Sequence, residues 1–157
     1  MKAAVIYYSN SGVTKELAER IKAAFGGELF EVKPVVSYGK YWAAVKRAGK
    51  ERRKGIVAEY TAPEGNPAEA DCIFIGYPIW YSEVPAFLLD YVKKLDLKGK
   101  TVIPFATSGS TNIEKTLEQL KGAVSGAEVV HPYGEVKEKK DGFEGWVKEV
   151  KEGIGNL

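Results

Sequence analysis

Three near-continuous apolar runs, each followed by a helical pattern, constrain the fold of this chain more than any other feature. They span Ala3–Tyr8, Cys72–Gly76 and Thr101–Ala106. Strands at the centre of a parallel sheet are buried on both faces, so they lack the polar alternation of a half-exposed strand. Alternation of such strands with amphipathic helices predicts an α/β protein with helices on both faces of a parallel sheet.

The remaining segments complete one predicted domain over residues 1–157. Glu28–Lys33 interleaves apolar and charged residues and is predicted to be an edge strand, and Ala127–His131 a fifth strand. Pro104 cannot donate a hydrogen bond to a neighbouring strand, so we place it near the end of its strand. Helical periodicity predicts five helices: Val13–Phe25, Tyr41–Arg53, Pro85–Leu95, Ile113–Val124 and Phe143–Ile154.

Composition excludes several classes of protein. Cys72 is the only cysteine and His131 the only histidine, which excludes an intramolecular disulfide and a cysteine-cluster metal site. We therefore predict no metal and no Cys-His or Ser-His-Asp catalytic set. The chain has no run of the roughly 18 apolar residues that a membrane span needs, and no secretory signal. We expect a soluble, cytoplasmic protein that does not bind membranes.

The charge is concentrated in one segment. Residues 40–54 carry seven basic groups against one acidic group, whereas acidic groups are in excess elsewhere. One basic segment on a mildly acidic protein argues against nucleic-acid binding. Such a segment is most often a solvated helix face, and the alternative is a docking surface for redox partner proteins of acidic character.

The loop after the first strand contains the most informative motif. It joins a buried strand to a helix, where the first backbone N–H groups lack intrahelical partners and attract anions. It has neither the lysine of a nucleoside-triphosphate loop nor the glycine pattern of a dinucleotide loop, so a terminal monophosphate fits best. The alternative is a plain helix cap. The loop comprises Ser9, Asn10, Ser11, Gly12, Val13 and Thr14.

Two further loops follow the third and fourth strands. The first places large apolar residues where a loop should be exposed, which is typical of a surface that stacks on a flat ring. The alternative is that its aromatic residues fold back over the core. The second, Thr107–Asn112, is a small polar turn before a helix. All three loops lie at the carboxyl ends of parallel strands, where open α/β sheets bind ligands.

Together these loops resemble those of the flavodoxin family, of the short-chain type with a Gly-Tyr-Pro-Ile-Trp loop. The matching motifs are YYSNSGVT, IFIGYPIWYSEVP and VIPFATSGST, and the resemblance extends from Lys2 to Val130. It implies a flavodoxin-like, doubly wound, five-stranded parallel sheet of order 2-1-3-4-5 that binds FMN. It implies that residues 9–14 hold the phosphate. The implied isoalloxazine contacts are Pro78, Ile79, Trp80 and Tyr81, and those at the pyrimidine end are Thr107, Ser108 and Gly109.

The sequence departs from the common family pattern in two places. There is no glycine between Ile79 and Glu83, and no aromatic residue in Thr107–Asn112. A further hypothesis is that the aromatic residues at 38, 41 and 42 pack over the flavin site. We predict an FMN-binding electron-transfer protein that shuttles electrons between redox enzymes. An FMN-dependent NAD(P)H or quinone reductase, and a flavin-free binding module on the same fold, remain open alternatives.

Overall fold

A computed structural model describes residues 2–155, so both ends of the domain predicted over 1–157 lie outside the described residues. Strands and helices alternate along most of the chain. The strands are β1 (Ala3–Tyr7), β2 (Glu28–Glu31), β3 (Lys33–Pro34), β4 (Tyr60–Thr61), β5 (Cys72–Pro78), β6 (Thr101–Ser108), β7 (Glu128–Val129) and β8 (Tyr133–Val136). The helices are α1 (Val13–Phe25), α2 (Tyr41–Lys54), α3 (Ala86–Lys93), α4 (Leu117–Ala123) and α5 (Phe143–Ile154).

The main sheet is parallel and has the strand order β2-β1-β5-β6, with β7 and β8 both paired to the far edge of β6. Counting β7 and β8 as one strand position, this is the predicted order 2-1-3-4-5, which is confirmed. The order in which strands are added to the sheet reverses between β1 and β5, so the loops after these two strands leave the sheet on opposite sides of a crevice.

The fifth strand position differs from the prediction. A single strand was expected over Ala127–His131, but β7 ends at Val129 and β8 begins at Tyr133. His131 lies between them with a φ of 51°, a left-handed conformation that an extended strand cannot contain. The second half of this strand position therefore begins at Tyr133, two residues after the predicted end at His131.

Pro104 lies in the middle of β6, so its predicted place near the strand end is wrong. In an extended strand, successive peptide groups point to alternate sides. The carbonyl of Val102 accepts a hydrogen bond from Val130, and the carbonyl of Ser108 accepts one from Lys137. Pro104 therefore has its donor-free nitrogen on that same side, facing the break between β7 and β8, where no partner is needed.

Helices cover both faces of the sheet. Leu17 of α1 and Trp146 of α5 pack on one face, and Leu88 of α3 and Leu120 of α4 on the other. Helices α1 and α5 have their predicted bounds, whereas the helix predicted over Ile113–Val124 begins with a 3₁₀ turn at Ile113–Thr116. Within residues 2–155, no helix is both long and apolar enough to cross a membrane.

The segment between β2 and β5 contains a small antiparallel ladder of β3 with β4, which the sequence analysis missed. Lys33 belongs to this ladder, so the edge strand predicted over Glu28–Lys33 is shorter than expected. Two residues per strand are too few to show the alternation that identifies a strand. Helix α2 follows the predicted Tyr41–Arg53 and extends one residue further.

Cys72 is expected to be chemically inert in the folded protein. It lies fully buried at the start of β5, and burial, with a smaller contribution from Asp71, raises the pKa of its thiol to about 12. The reactive thiolate is therefore scarce at pH 8. We expect no reaction with 5,5′-dithiobis(2-nitrobenzoate) at pH 8, and one thiol titrated after unfolding in urea. Rapid labelling of the native protein would contradict this buried position.

Candidate functional site

The three loops that follow β1, β5 and β6 meet at the carboxyl edge of the sheet. They surround a cavity of about 240 Å³, called here the carboxyl-edge cavity. Nine of the thirteen residues predicted from sequence line it: Asn10, Ser11, Val13, Pro78, Ile79, Trp80, Thr107, Ser108 and Gly109. The structure therefore brings together most of the residues that sequence patterns had selected from three separate segments.

The loop 9–14 presents free amides beside this cavity. Gly12 has a φ of +96°, a conformation that favours glycine, and it directly precedes α1. The Ser9 hydroxyl accepts hydrogen bonds from the N–H groups of Gly12 and Lys15, both at 3.1 Å. Among residues 2–155, nothing accepts a hydrogen bond from the N–H of Ser11, Val13 or Thr14. Ser9 and Gly12 thus shape the loop, while the neighbouring amides remain available to an anion.

Thr14 is buried and does not line the cavity. Its hydroxyl lies 2.8 Å from the hydroxyl of Thr107, so a hydrogen bond joins the start of α1 to the end of β6. This contact ties the first loop to the third beneath the cavity floor. The structure therefore gives the Thr14 side chain a partner within the protein, and its predicted contact with a phosphate stays a prediction.

Trp80 is half-buried and stands between two cavities. Its ring centroid lies 5.9 Å from that of Tyr8, edge to face, and 5.1 Å from that of Tyr38. Burial raises the pKa of both phenols above the ordinary tyrosine value, so they remain neutral. Trp80 lines the carboxyl-edge cavity and also a second cavity of about 320 Å³ beside α2. The indole thus packs against the core and still lines the carboxyl-edge cavity.

Tyr81 does not line the carboxyl-edge cavity. Tyr81 and Ser82 have φ angles of 55° and 59°, and the N–H of Glu83 bonds the carbonyl of Trp80 at 3.0 Å, which closes a tight turn. Two consecutive positive φ angles are typical of a type I′ turn, and they cost about 1–2 kcal/mol each without glycine. The turn directs the Tyr81 hydroxyl to α2, where it donates to the carbonyl of Val45 at 3.0 Å.

Four residues of the cavity wall were not among the predicted site residues: Tyr41, Glu135, Lys137 and Glu138. Tyr41 begins α2 and lines the cavity, whereas Tyr38 is buried and Trp42 is exposed. That these residues pack over a flavin stays a prediction. The other three lie in or just after β8. The break in the fifth strand position hid them, since the predicted strand ended before Tyr133.

Glu135 is a buried carboxylate in this wall, only 3% exposed. One oxygen accepts a hydrogen bond from the Arg20 guanidinium at 2.5 Å, and the other accepts one from the Tyr133 hydroxyl at 2.6 Å. Burial, followed by the adjacent Glu135 carboxylate, raises the pKa of Tyr133, so its hydroxyl stays a donor. Glu135 pairs in register with Thr107, so this network supports the floor of the cavity.

Residues 2–155 contain no cluster of three or more histidine, cysteine, aspartate or glutamate side chains that could hold a metal ion. The polar groups of the cavity are instead amides, hydroxyls, the buried Glu135 and the exposed Lys137 and Glu138. The amides and hydroxyls can donate hydrogen bonds to a phosphate or a heterocyclic ring. A doubly wound sheet with this cleft at its carboxyl edge defines the flavodoxin-like class of α/β proteins.

Comparison with known proteins identifies the family. The sequence profile of the flavodoxin family matches residues 2–150, and the chain belongs to this family. No protein with a curated description shows significant sequence similarity to it.

Three solved structures illustrate the similarity. A protein from Bacteroides eggerthii, provisionally named a flavoprotein, is 28% identical over 99% of both chains with a TM-score of 0.81. A flavoprotein from Lactobacillus acidophilus, solved in complex with FMN, is 27% identical over 92% of this chain and 97% of that chain, with a TM-score of 0.69. An archaeal flavodoxin shares the fold at 18% identity, over 97% of this chain and 92% of that chain, with a TM-score of 0.56.

Proposed function

We propose that this protein binds FMN in the carboxyl-edge cavity and transfers electrons between redox enzymes. One observation carries the proposal: the unpartnered amides of Ser11 and Val13 and the half-buried indole of Trp80 border one cavity. The amides suit a phosphate at one end. The indole suits a conjugated ring at the other end. The FMN complex of the Lactobacillus acidophilus protein supports this choice of ligand.

The residues present fit FMN. Ser11 and the amides of loop 9–14 would hold the phosphate, and Trp80 with Pro78 and Ile79 would contact the ring. Thr107–Gly109 would supply hydrogen bonds at the pyrimidine end. The cavity volume of about 240 Å³ lies below the roughly 300–1,000 Å³ of small-molecule sites, so part of the ligand would stay at the surface. Bound FMN supplies one- and two-electron chemistry, while the chain binds and orients it.

Titration of the apo-protein with FMN and with riboflavin tests the proposal. Because the loop 9–14 amides recognise only a phosphate, FMN should bind more tightly than riboflavin. A yellow complex that dithionite bleaches is the expected product. Binding of neither ligand would contradict the proposal and would favour a flavin-free binding module.

Trp80→Leu should weaken the binding of FMN and riboflavin equally, by about 1 kcal/mol or roughly fivefold, because it removes an aromatic contact with the ring. Tyr81→Leu is the matched control. Tyr81 is the next residue in the chain, but its side chain contacts α2 and lies outside the cavity. Quenching of flavin fluorescence measures both affinities. Equal losses of flavin affinity in Trp80→Leu and Tyr81→Leu would show that Trp80 has no special contact with the ring.

A second candidate function is an FMN-dependent NAD(P)H or quinone reductase. The absence of an aromatic residue in Thr107–Asn112 favours it, because one face of the ring would stay open to a nicotinamide or a quinone. Steady-state oxidation of NADH or NADPH with a quinone acceptor separates the two functions, since a pure carrier shows no turnover.

A further inference from the structure

The exposed apolar side chains of this protein are concentrated around α2. Every large hydrophobic residue that is exposed among residues 2–155 lies within 35–57, except Tyr81, which bonds α2. These residues are Val35, Val36, Tyr41, Trp42, Ile56, Val57 and Tyr81. A clustered apolar surface, unlike scattered exposed residues, is typical of an interaction site.

The solvent-facing side of α2, called here the α2 outer face, comprises Trp42, Lys46, Lys50 and Arg53. Their spacing of four, four and three residues places them on one stripe of the helix, and all four are exposed. Among residues 2–155, none of these three cations forms an ion pair. Arg47 and Arg52 of the same helix are instead paired with Glu51 and Glu83. The α2 outer face therefore combines an exposed indole with three uncompensated positive charges.

Helix α2 is held firmly beside the carboxyl-edge cavity. The Arg47 guanidinium stacks 3.8 Å from the centroid of Tyr38, and the Tyr38 hydroxyl donates to Glu51. The Asn10 side chain donates to the carbonyl of Gly39 at 3.0 Å, which joins loop 9–14 to the residues just before the helix. Tyr41 then lines the cavity directly. A partner bound to the α2 outer face would thus sit next to the proposed flavin.

We propose that the α2 outer face docks an acidic redox protein. This rests on the proposed function, since the partner would exchange electrons with bound FMN. Charge complementarity selects the partner, because residues 40–54 carry seven basic groups against one acidic group. One helix face is small, which suits a transient electron-transfer encounter rather than a permanent complex. In each encounter the partner loses one electron and the flavin gains one, and no bond forms or breaks.

The test measures binding of a plant-type [2Fe–2S] ferredoxin, an acidic redox protein, to the apo-protein and to the FMN-loaded protein at low and high salt. The binding constant should fall as salt rises. Lys46→Glu/Lys50→Glu/Arg53→Glu should weaken binding at low salt by about tenfold or more. The matched control, Lys22→Glu/Lys121→Glu/Lys148→Glu, changes three exposed lysines on other helices and makes the same change in net charge. It should weaken binding less than the α2 variant at low salt, and by no more than about twofold near physiological ionic strength, where the Debye length is about 8 Å.

Trp42→Ala should also weaken ferredoxin binding but leave its salt dependence unchanged, because it removes apolar contact and no charge. Equal losses in the two triple variants, or tighter binding of the basic protein cytochrome c, would overturn the proposal. The proposal would also be overturned if the protein bound phosphatidylserine vesicles but not ferredoxin. A dimer that the α2 triple variant dissociates would overturn it as well. Binding by apo-protein that fails to take up FMN would preserve the docking surface and refute only the proposed function.

Discussion

Arg20→Met is expected to lower the free energy of unfolding by about 3–5 kcal/mol, the usual cost of breaking a buried ion pair. The guanidinium of Arg20 is the cationic partner of Glu135, whose side chain is only 2% exposed. Without it, the buried carboxylate would keep only the Tyr133 hydroxyl as a partner, and a buried charge without a cationic partner is costly. Urea unfolding of the apo-protein, followed by circular dichroism, measures the loss.

Two comparisons separate this effect from general damage. Adding Glu135→Gln to Arg20→Met removes the unpaired buried carboxylate, so the double variant should regain part of the lost stability. Lys140→Met breaks the pair of Lys140 with Glu16, whose side chains are half-exposed, and should cost less than about 1 kcal/mol. If Arg20→Met and Lys140→Met destabilise the protein equally, the buried network contributes no more than a surface pair.

Ser11→Asp is expected to weaken FMN binding by about 2 kcal/mol, or roughly thirtyfold. Two unit charges 4 Å apart repel by about 1 kcal/mol in water-like surroundings, and a phosphate dianion doubles this cost. Ser11 is exposed and lines the cavity beside the free amides, so its carboxylate would stand where the phosphate should bind. The variant should fold normally, because an acidic residue near the start of α1 interacts favourably with the helix dipole.

Riboflavin and a neutral variant control this prediction. Riboflavin has no phosphate, so Ser11→Asp should leave its affinity almost unchanged. Ser11→Asn has the size and shape of the aspartate without its charge, and it should bind FMN nearly as the original protein does. Fluorescence titration at low salt measures the affinity of the original protein and of each variant for both ligands. If Ser11→Asp lowers the affinities for FMN and riboflavin equally, the phosphate does not bind at loop 9–14.

The buried parts of the fold could be predicted because they depend on local pattern. Three apolar runs identified β1, β5 and β6, and helical periodicity located α1 and α5 with their observed bounds. The carboxyl ends of parallel strands necessarily meet at one edge, so the convergence of the three loops followed directly. This is why nine of the predicted residues line one cavity without any knowledge of distant contacts.

The remaining features depend on contacts between residues far apart in the chain. The break between β7 and β8 lies opposite Pro104, and the apolar pattern of either segment alone does not reveal that relation. It hid Glu135, whose burial requires Arg20, more than a hundred residues earlier. The side chain of Tyr81 turns to α2 because two positive φ angles redirect it, although its sequence context matches that of Trp80.

The sequence by itself determined the class of fold, the family and the three segments that form the cavity, because hydrophobic periodicity and helix-start chemistry are local properties. Only the tertiary structure decided which aromatic side chain reaches the cavity, which charges are paired and which remain free on α2. Those outcomes depend on packing and electrostatics between elements, whose free energies are set by distance in space and not by position in the chain.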